Sequence, residues 1–162
     1  MDSDALNSDA DSPSELVNIL LVEDNPGDIR LTTEALRQNK LANRLYIVKD
    51  GVEALEFLFR RGQYTEAPIP DIILLDLNLP KKSGKQVLAE IKQDPELRMV
   101  PVVILTTSDS DRDILESYQL QVNCYITKPL NFAKFTEVVR AVEQFWFRIV
   151  KLPKPTGSRR LS

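Results

Sequence analysis

The sequence contains no histidine, one cysteine, one tryptophan and five glycines among 162 residues. The missing histidine removes imidazole general bases, Ser-His-Asp triads, haem ligation through His and HExxH metal sites together. A lone thiol, Cys124, excludes an intrachain disulfide framework and a thiolate zinc centre. Lying just before an aromatic in a short apolar run, it reads as a small buried hydrophobe rather than a reactive group. Four glycines fall within residues 17–150, in neither the GxGxxG nor the GxxxxGKS/T pattern, so no dinucleotide or P-loop site is expected. No run of about 18 apolar residues occurs, which excludes a membrane-spanning helix. The N-terminus lacks the basic-then-apolar order of a secretory signal. A soluble, cytoplasmic protein is expected. A strong charge bias is also missing. With 21 Lys+Arg against 24 Asp+Glu the net charge is −3, too mild to point to nucleic acid or a membrane surface as partner.

What is present is a chain 43% apolar and 28% charged, rich enough to build a core and of a length that suits one domain. Five acids and no base occupy residues 1–16, and four bases and no acid occupy 151–162. Both ends read as flexible tails flanking a folded body at 17–150. Within the body, Ile19-Leu20-Leu21-Val22, Ile72-Ile73-Leu74-Leu75 and Val102-Val103-Ile104-Leu105 are apolar without alternation. Such runs suit strands covered on both faces. Leu45 to Val48 and Cys124 to Ile126 are weaker strand candidates, nearer the sheet edges. Helical patterns separate them. Asn25-Pro26 supplies a cap and first turn for a helix to about Gln38; Val52, Leu55, Leu58 and Phe59 make an apolar face that stops at Gly62. Further helices are expected over Gly84 to Gln93, Asp111 to Gln119 and Asn131 to about Val150. The alternation predicts an α/β fold: one doubly wound, five-stranded parallel sheet of order 2-1-3-4-5.

In such a sheet, ligands bind beyond the carboxyl ends of the strands. Just past those ends stand Glu23 and Asp24, then Asp76, then Thr106 and Thr107, then Lys128-Pro129. Carboxylates crowded on one rim raise one another's pKa values unless a cation intervenes. Oxygen ligands that leave room for water suit Mg²⁺ better than zinc. One lysine and one divalent cation would balance the three carboxylates, leaving one of them available as a nucleophile. Any single acid here is as readily a loop or capping residue. Three acids, a hydroxyl and a Lys-Pro at successive strand ends are what point to a site.

The stretches Val22-Glu23-Asp24-Asn25-Pro26, Leu75-Asp76-Leu77-Asn78-Leu79-Pro80, Leu105-Thr106 and Thr127-Lys128-Pro129 resemble, in order and strand context, the signatures of bacterial response-regulator receiver domains. The resemblance spans residues 17–150 and implies the flavodoxin-like receiver fold. It further implies Mg²⁺ bound by Glu23, Asp24, Asp76 and the backbone carbonyl of Asn78, and phosphorylation of Asp76. Thr106 and Lys128 would contact phosphoryl oxygens, and Tyr125 would be the switch aromatic that answers Thr106. A finer likeness, to the small regulators paired with cyanobacterial phytochromes, is carried by residues 122–129, Phe145-Trp146-Phe147, Lys151-Leu152-Pro153 and the long segment Gly62 to Pro70. Cys124 departs from the glycine that many receivers have before the switch aromatic.

The implied function is that of a stand-alone response regulator, phosphorylated by a partner histidine kinase, with a phytochrome as the implied kinase. It would be a phosphoacceptor with slow self-dephosphorylation rather than a turnover enzyme. The donor imidazole would belong to the other chain, in keeping with the absent histidine. Two other functions suit the topology. A Mg²⁺-dependent phosphohydrolase of the haloacid-dehalogenase kind also has an Asp nucleophile, but wants a second Asp two residues on, where Asn78 stands. A flavin binder needs a phosphate cradle after the first strand, where Glu23 and Asp24 would repel the phosphate. A homodimer is expected through the last helix. Phe145, Trp146 and Phe147 span an arc of about 200° on a helix, wider than the apolar stripe of a little over 100° that a core usually covers.

Overall fold

The computed structural model describes residues 16–38 and 42–106, and beyond them 116, 119, 120, 122, 124–128, 133, 137, 140 and 144. Five parallel strands, β1 (Val17–Val22), β2 (Asn43–Val48), β3 (Ile72–Leu75), β4 (Val102–Thr106) and β5 (Cys124–Thr127), form one sheet in the order β2-β1-β3-β4-β5, as expected. Strand side chains alternate between the two faces of a sheet, which explains the unbroken apolar runs. Leu20, Val22, Ile73, Leu75, Val102 and Ile104 enter one core, and Val17, Ile19, Leu21, Ile72, Leu74, Val103 and Leu105 enter the other.

Three helices fall wholly among the described residues: α1 (Pro26–Arg37), α2 (Gly51–Leu58) and α3 (Gly84–Gln93). Helix α1 sends Leu36 into the second core, whereas α2 and α3 send Leu55, Phe57, Leu58, Val87, Leu88 and Ile91 into the first. Each start has a cap. The Asn25 Oδ1 accepts from the Asp28 N–H at 2.9 Å with Pro26 behind it, and the Asp50 Oδ1 accepts from the Glu53 N–H at 2.7 Å. At α3, Ser83 and Gln86 cap each other reciprocally. Glu116 and Gln119 are helical, and so are Ala133, Glu137, Arg140 and Gln144, all four exposed and spaced as one helix face.

The structure corrects the expected α2 face. Val52 is 43% exposed, while Ala54 and Phe57 are buried beside Leu55 and Leu58. The cap at Asp50 places Val52 in the first turn on the outward side. Gly62 is not the stop. The helix ends at Leu58, Arg60 takes a positive φ of 56°, and Gly62 (φ 57°) opens a 3-10 turn to Tyr64. The Tyr64 hydroxyl donates to Glu53, and its ring lies 5.2 Å from that of Phe57, so this long segment is tied back onto α2. The expected tails, 1–16 and 151–162, lie outside the described residues apart from Leu16.

Candidate functional site

Strand register builds the site. Val22 is paired with Leu75 on one side and with Val48 on the other. One step further, the Glu23 N–H donates to the Val48 carbonyl and the Asp76 N–H to the Val22 carbonyl, both at 3.0 Å. Glu23 and Asp76 therefore leave adjacent strands at the same level. Across the sheet Leu75 is paired with Ile104, and Thr106 with Thr127, so Lys128 enters the same rim from β5.

The loop from Asp76 to Ser83 is clamped between two glycines. A Cβ on Gly84 would sit 2.2 Å from the Asp76 carbonyl oxygen, and one on Gly51 would sit 1.9 Å from the Lys82 carbonyl oxygen. The Gly84 N–H donates to the Leu77 carbonyl at 2.9 Å and the Gly51 N–H to the Pro80 carbonyl at 3.4 Å. Both flanking lysines have an acidic neighbour. Lys81 lies 3.5 Å from Asp50 and Lys82 lies 2.6 Å from Glu90.

Glu23 (1% exposed), Asp76 (5%) and Lys128 (7%) are buried, whereas Asp24 is exposed. Carboxylate oxygens of Glu23, Asp24 and Asp76 lie within 4.8 Å of one another. Lys128 Nζ donates to Glu23 Oε1 at 2.7 Å and to Asp76 Oδ2 at 3.0 Å. The other Glu23 oxygen accepts from the Asn25 N–H at 3.1 Å, and Asp76 Oδ1 accepts from the Asn78 N–H at 2.9 Å. Charges removed from water to this degree need partners. Burial pushes the Glu23 carboxyl up to about 7, with Lys128 pulling it down and Asp76 adding to the rise. Burial alone would lower the Lys128 pKa, but hydrogen bonds to Asp28 and Glu23 and the charge of Asp76 reverse this and hold it raised. The all-oxygen donor set fits a hard divalent cation with several waters rather than a soft metal.

One residue of the site was missed by the sequence reading. Asp28 Oδ2 lies 2.7 Å from Lys128 Nζ, as close as Glu23. The signal was present in the spacing. Asn25 and Pro26 start α1, so Asp28 lies in its first turn, and helix side chains lean back toward the N-terminus, here the rim. The fourth carboxylate upsets the expected charge balance. With Lys128 and a dication in place, the four carboxylates would leave one net negative charge.

Glu23, Asp24, Asp76 and Lys128 are thus brought together, with Asn78 bound to Asp76 through its N–H. Thr106 ends β4 beside Thr127, its side chain outside the description. Tyr125 is half-buried against the first core. Thr107, Pro129 and the expected dimer residues Phe145, Trp146 and Phe147 lie outside the described residues.

Comparison with known proteins agrees with this geometry. The response regulator receiver domain signature matches residues 19–140. The chain is 48% identical over 146 residues to the response regulator Rcp1 of a Synechocystis species, covering 90% of this chain and 98% of that one. The crystal structure of a phosphorylated cyanobacterial phytochrome response regulator, RcpA, superposes with a TM-score of 0.77 at 50% identity, over 86% of this chain and 99% of that one. A manganese-bound form of Rcp1 gives a TM-score of 0.75 at 48% identity, over 85% and 99%. The sheet that aligns this rim is matched along nearly all of its length by response regulators, and the chain belongs to the response regulator receiver-domain family.

Proposed function

We propose that this protein is a stand-alone response regulator that accepts a phosphoryl group on Asp76 from a partner histidine kinase and signals through a phosphorylation-dependent change of protein contacts. The observation that carries the reading is the meeting of Asp76 with Lys128, Glu23 and Asp24 at the switch point of the sheet. An Asp76 oxygen attacks the phosphorus of a phosphohistidine in line. The P–N bond breaks with its electron pair passing to the imidazole nitrogen, and a P–O bond to Asp76 forms. Glu23, Asp24, Asp76 and the Asn78 carbonyl would hold Mg²⁺, which when bound would supply neutralisation of the phosphoryl charge. Lys128 binds one phosphoryl oxygen and Thr106 another. Asn78 orients the water that later hydrolyses the acyl phosphate, so the chain is a phosphoacceptor that dephosphorylates itself slowly.

Movement of Thr106 toward the phosphoryl group opens space for the Tyr125 ring and alters the β4–β5 edge. NMR shifts on phosphorylation that stay on the acidic rim and never reach Tyr125 would contradict this relay. The similarity to RcpA, a phytochrome response regulator by description, supports a phytochrome as the kinase. The aromatic run Phe145-Trp146-Phe147 in the sequence supports a homodimer. A monomer in light scattering at micromolar concentration would remove the dimer from this reading. The central test is intact-mass measurement after incubation with acetyl phosphate and Mg²⁺. Wild type should gain one phosphoryl group and Asp76→Asn none; a Mg²⁺-dependent gain in the variant refutes the assignment.

A further inference from the structure

Lys128 Nζ has three hydrogens, and three carboxylates lie around it: Glu23 at 2.7 Å, Asp28 at 2.7 Å and Asp76 at 3.0 Å. All of its donor capacity has a carboxylate to meet. If Lys128 is to bind a phosphoryl oxygen, one of these contacts must give way. Asp76 is then the residue carrying the group, and Glu23 belongs with Asp24 and Asp76 to the three-carboxylate cluster. Asp28 lies outside that cluster, on the first turn of α1, and its side chain is 19% exposed. It can release the lysine and turn to water at the least desolvation cost.

We propose that Asp28 is a positioning residue that holds Lys128 in the resting site and competes with the phosphoryl group for it. The proposal rests on the reading of Asp76 as phosphoacceptor. Two effects act in the same direction. The Asp28–Lys128 contact stabilises the unphosphorylated arrangement alone, and the Asp28 charge repels an incoming phosphate dianion. Removing the charge therefore accelerates phosphorylation, whereas a merely structural role for Asp28 would slow it or leave it unchanged.

The test is the rate of phosphorylation by acetyl phosphate, in excess Mg²⁺ so that altered metal affinity does not enter, for wild type, Asp28→Asn, Asp28→Ala and Asp28→Glu. The second-order rate constant should rise roughly two- to fivefold in the Asn and Ala variants, the range that loss of one partly exposed ion pair allows. It should return close to the wild-type value in Asp28→Glu. An unchanged or lower rate in Asp28→Asn overturns the proposal, as does an equal rise in Asp28→Glu, because the charge would then not be the cause. Asp76→Asn run in parallel separates the two levels. Labelling that survives Asp76→Asn sinks the phosphoacceptor reading, while labelling lost there with Asp28→Asn unchanged sinks only this inference.

Discussion

Replacing Lys128 by Met keeps much of the side-chain volume and removes its charge, leaving Glu23, Asp28 and Asp76 facing one another. Breaking a buried ion pair from one side typically costs about 3–5 kcal/mol, because the remaining charge stays uncompensated. Against a domain stability of about 5–15 kcal/mol this is a large fraction. The penalty must depend on pH. In the wild type, the Glu23 pKa is raised from 4.5 to about 7, chiefly by burial. The folded state then holds the Glu23 proton more tightly than the unfolded chain does. The resulting stability is fully present below 4.5 and lost as pH rises through 7. At about 1.36 kcal/mol per unit, that swing amounts to about 3 kcal/mol. Lys128 lowers the Glu23 pKa, so without the lysine the pKa climbs further and the loss extends to higher pH. Urea unfolding of both proteins without metal should show Lys128→Met less stable by about 3–5 kcal/mol at pH 8, and by less than about 2 kcal/mol at pH 5, where a proton on Glu23 substitutes for the lysine. Equal destabilisation at both pH values, or none at pH 8, would refute the argument that Lys128 neutralises buried carboxylates.

Mg²⁺ affinity should weaken as pH falls through 7, because the proton on Glu23 must leave before its oxygens can bind a cation; calorimetry in buffers of different ionisation enthalpy should detect the released proton, and a flat affinity between pH 6 and 8 would contradict this. Asp24→Ala should lower the same affinity at least several-fold. Gly84→Ala should lose about 3 kcal/mol of stability, since its Cβ would meet the Asp76 carbonyl oxygen at 2.2 Å and the Leu77 Cα at 2.5 Å; a thermal midpoint equal to wild type would show that the Asp76–Ser83 loop yields easily.

Strand β3 and helix α3 have the bounds that the residue pattern predicts, Ile72–Leu75 and Gly84–Gln93. Both have sharp physical limits: an all-apolar run ended by a charge, and a capped amphipathic stretch ended before Asp94-Pro95. Strand β2 starts two residues earlier than expected, at Asn43, because backbone pairing with Val17 continues regardless of the polar side chains there. The outward turn of Val52 depends on which residue caps α2, and apolar spacing alone does not settle that. Glu23, Asp24, Asp76 and Lys128 were readable because strand ends locate the rim, one residue at a time. Asp28 was legible only as a first-turn residue of α1, and its contact with Lys128 comes from how α1 leaves β1. The Lys81–Asp50 and Lys82–Glu90 pairs likewise depend on how the helices pack beneath the loop.

The bond from Lys128 to Glu23 joins positions 105 residues apart. During synthesis, β1, β2 and β3 with α1, α2 and α3 are complete about thirty-five residues before the lysine is made. An early three-stranded assembly would gather Glu23, Asp28 and Asp76 without the Lys128 charge that meets them in the finished site. Closing the sheet before β5 docks would therefore cost the mutual repulsion of Glu23, Asp28 and Asp76, which a proton or a dication would relieve. The edge strand delivers the counter-charge for carboxylates that stand at the centre of the sheet, so loss of that charge should be felt two strands away.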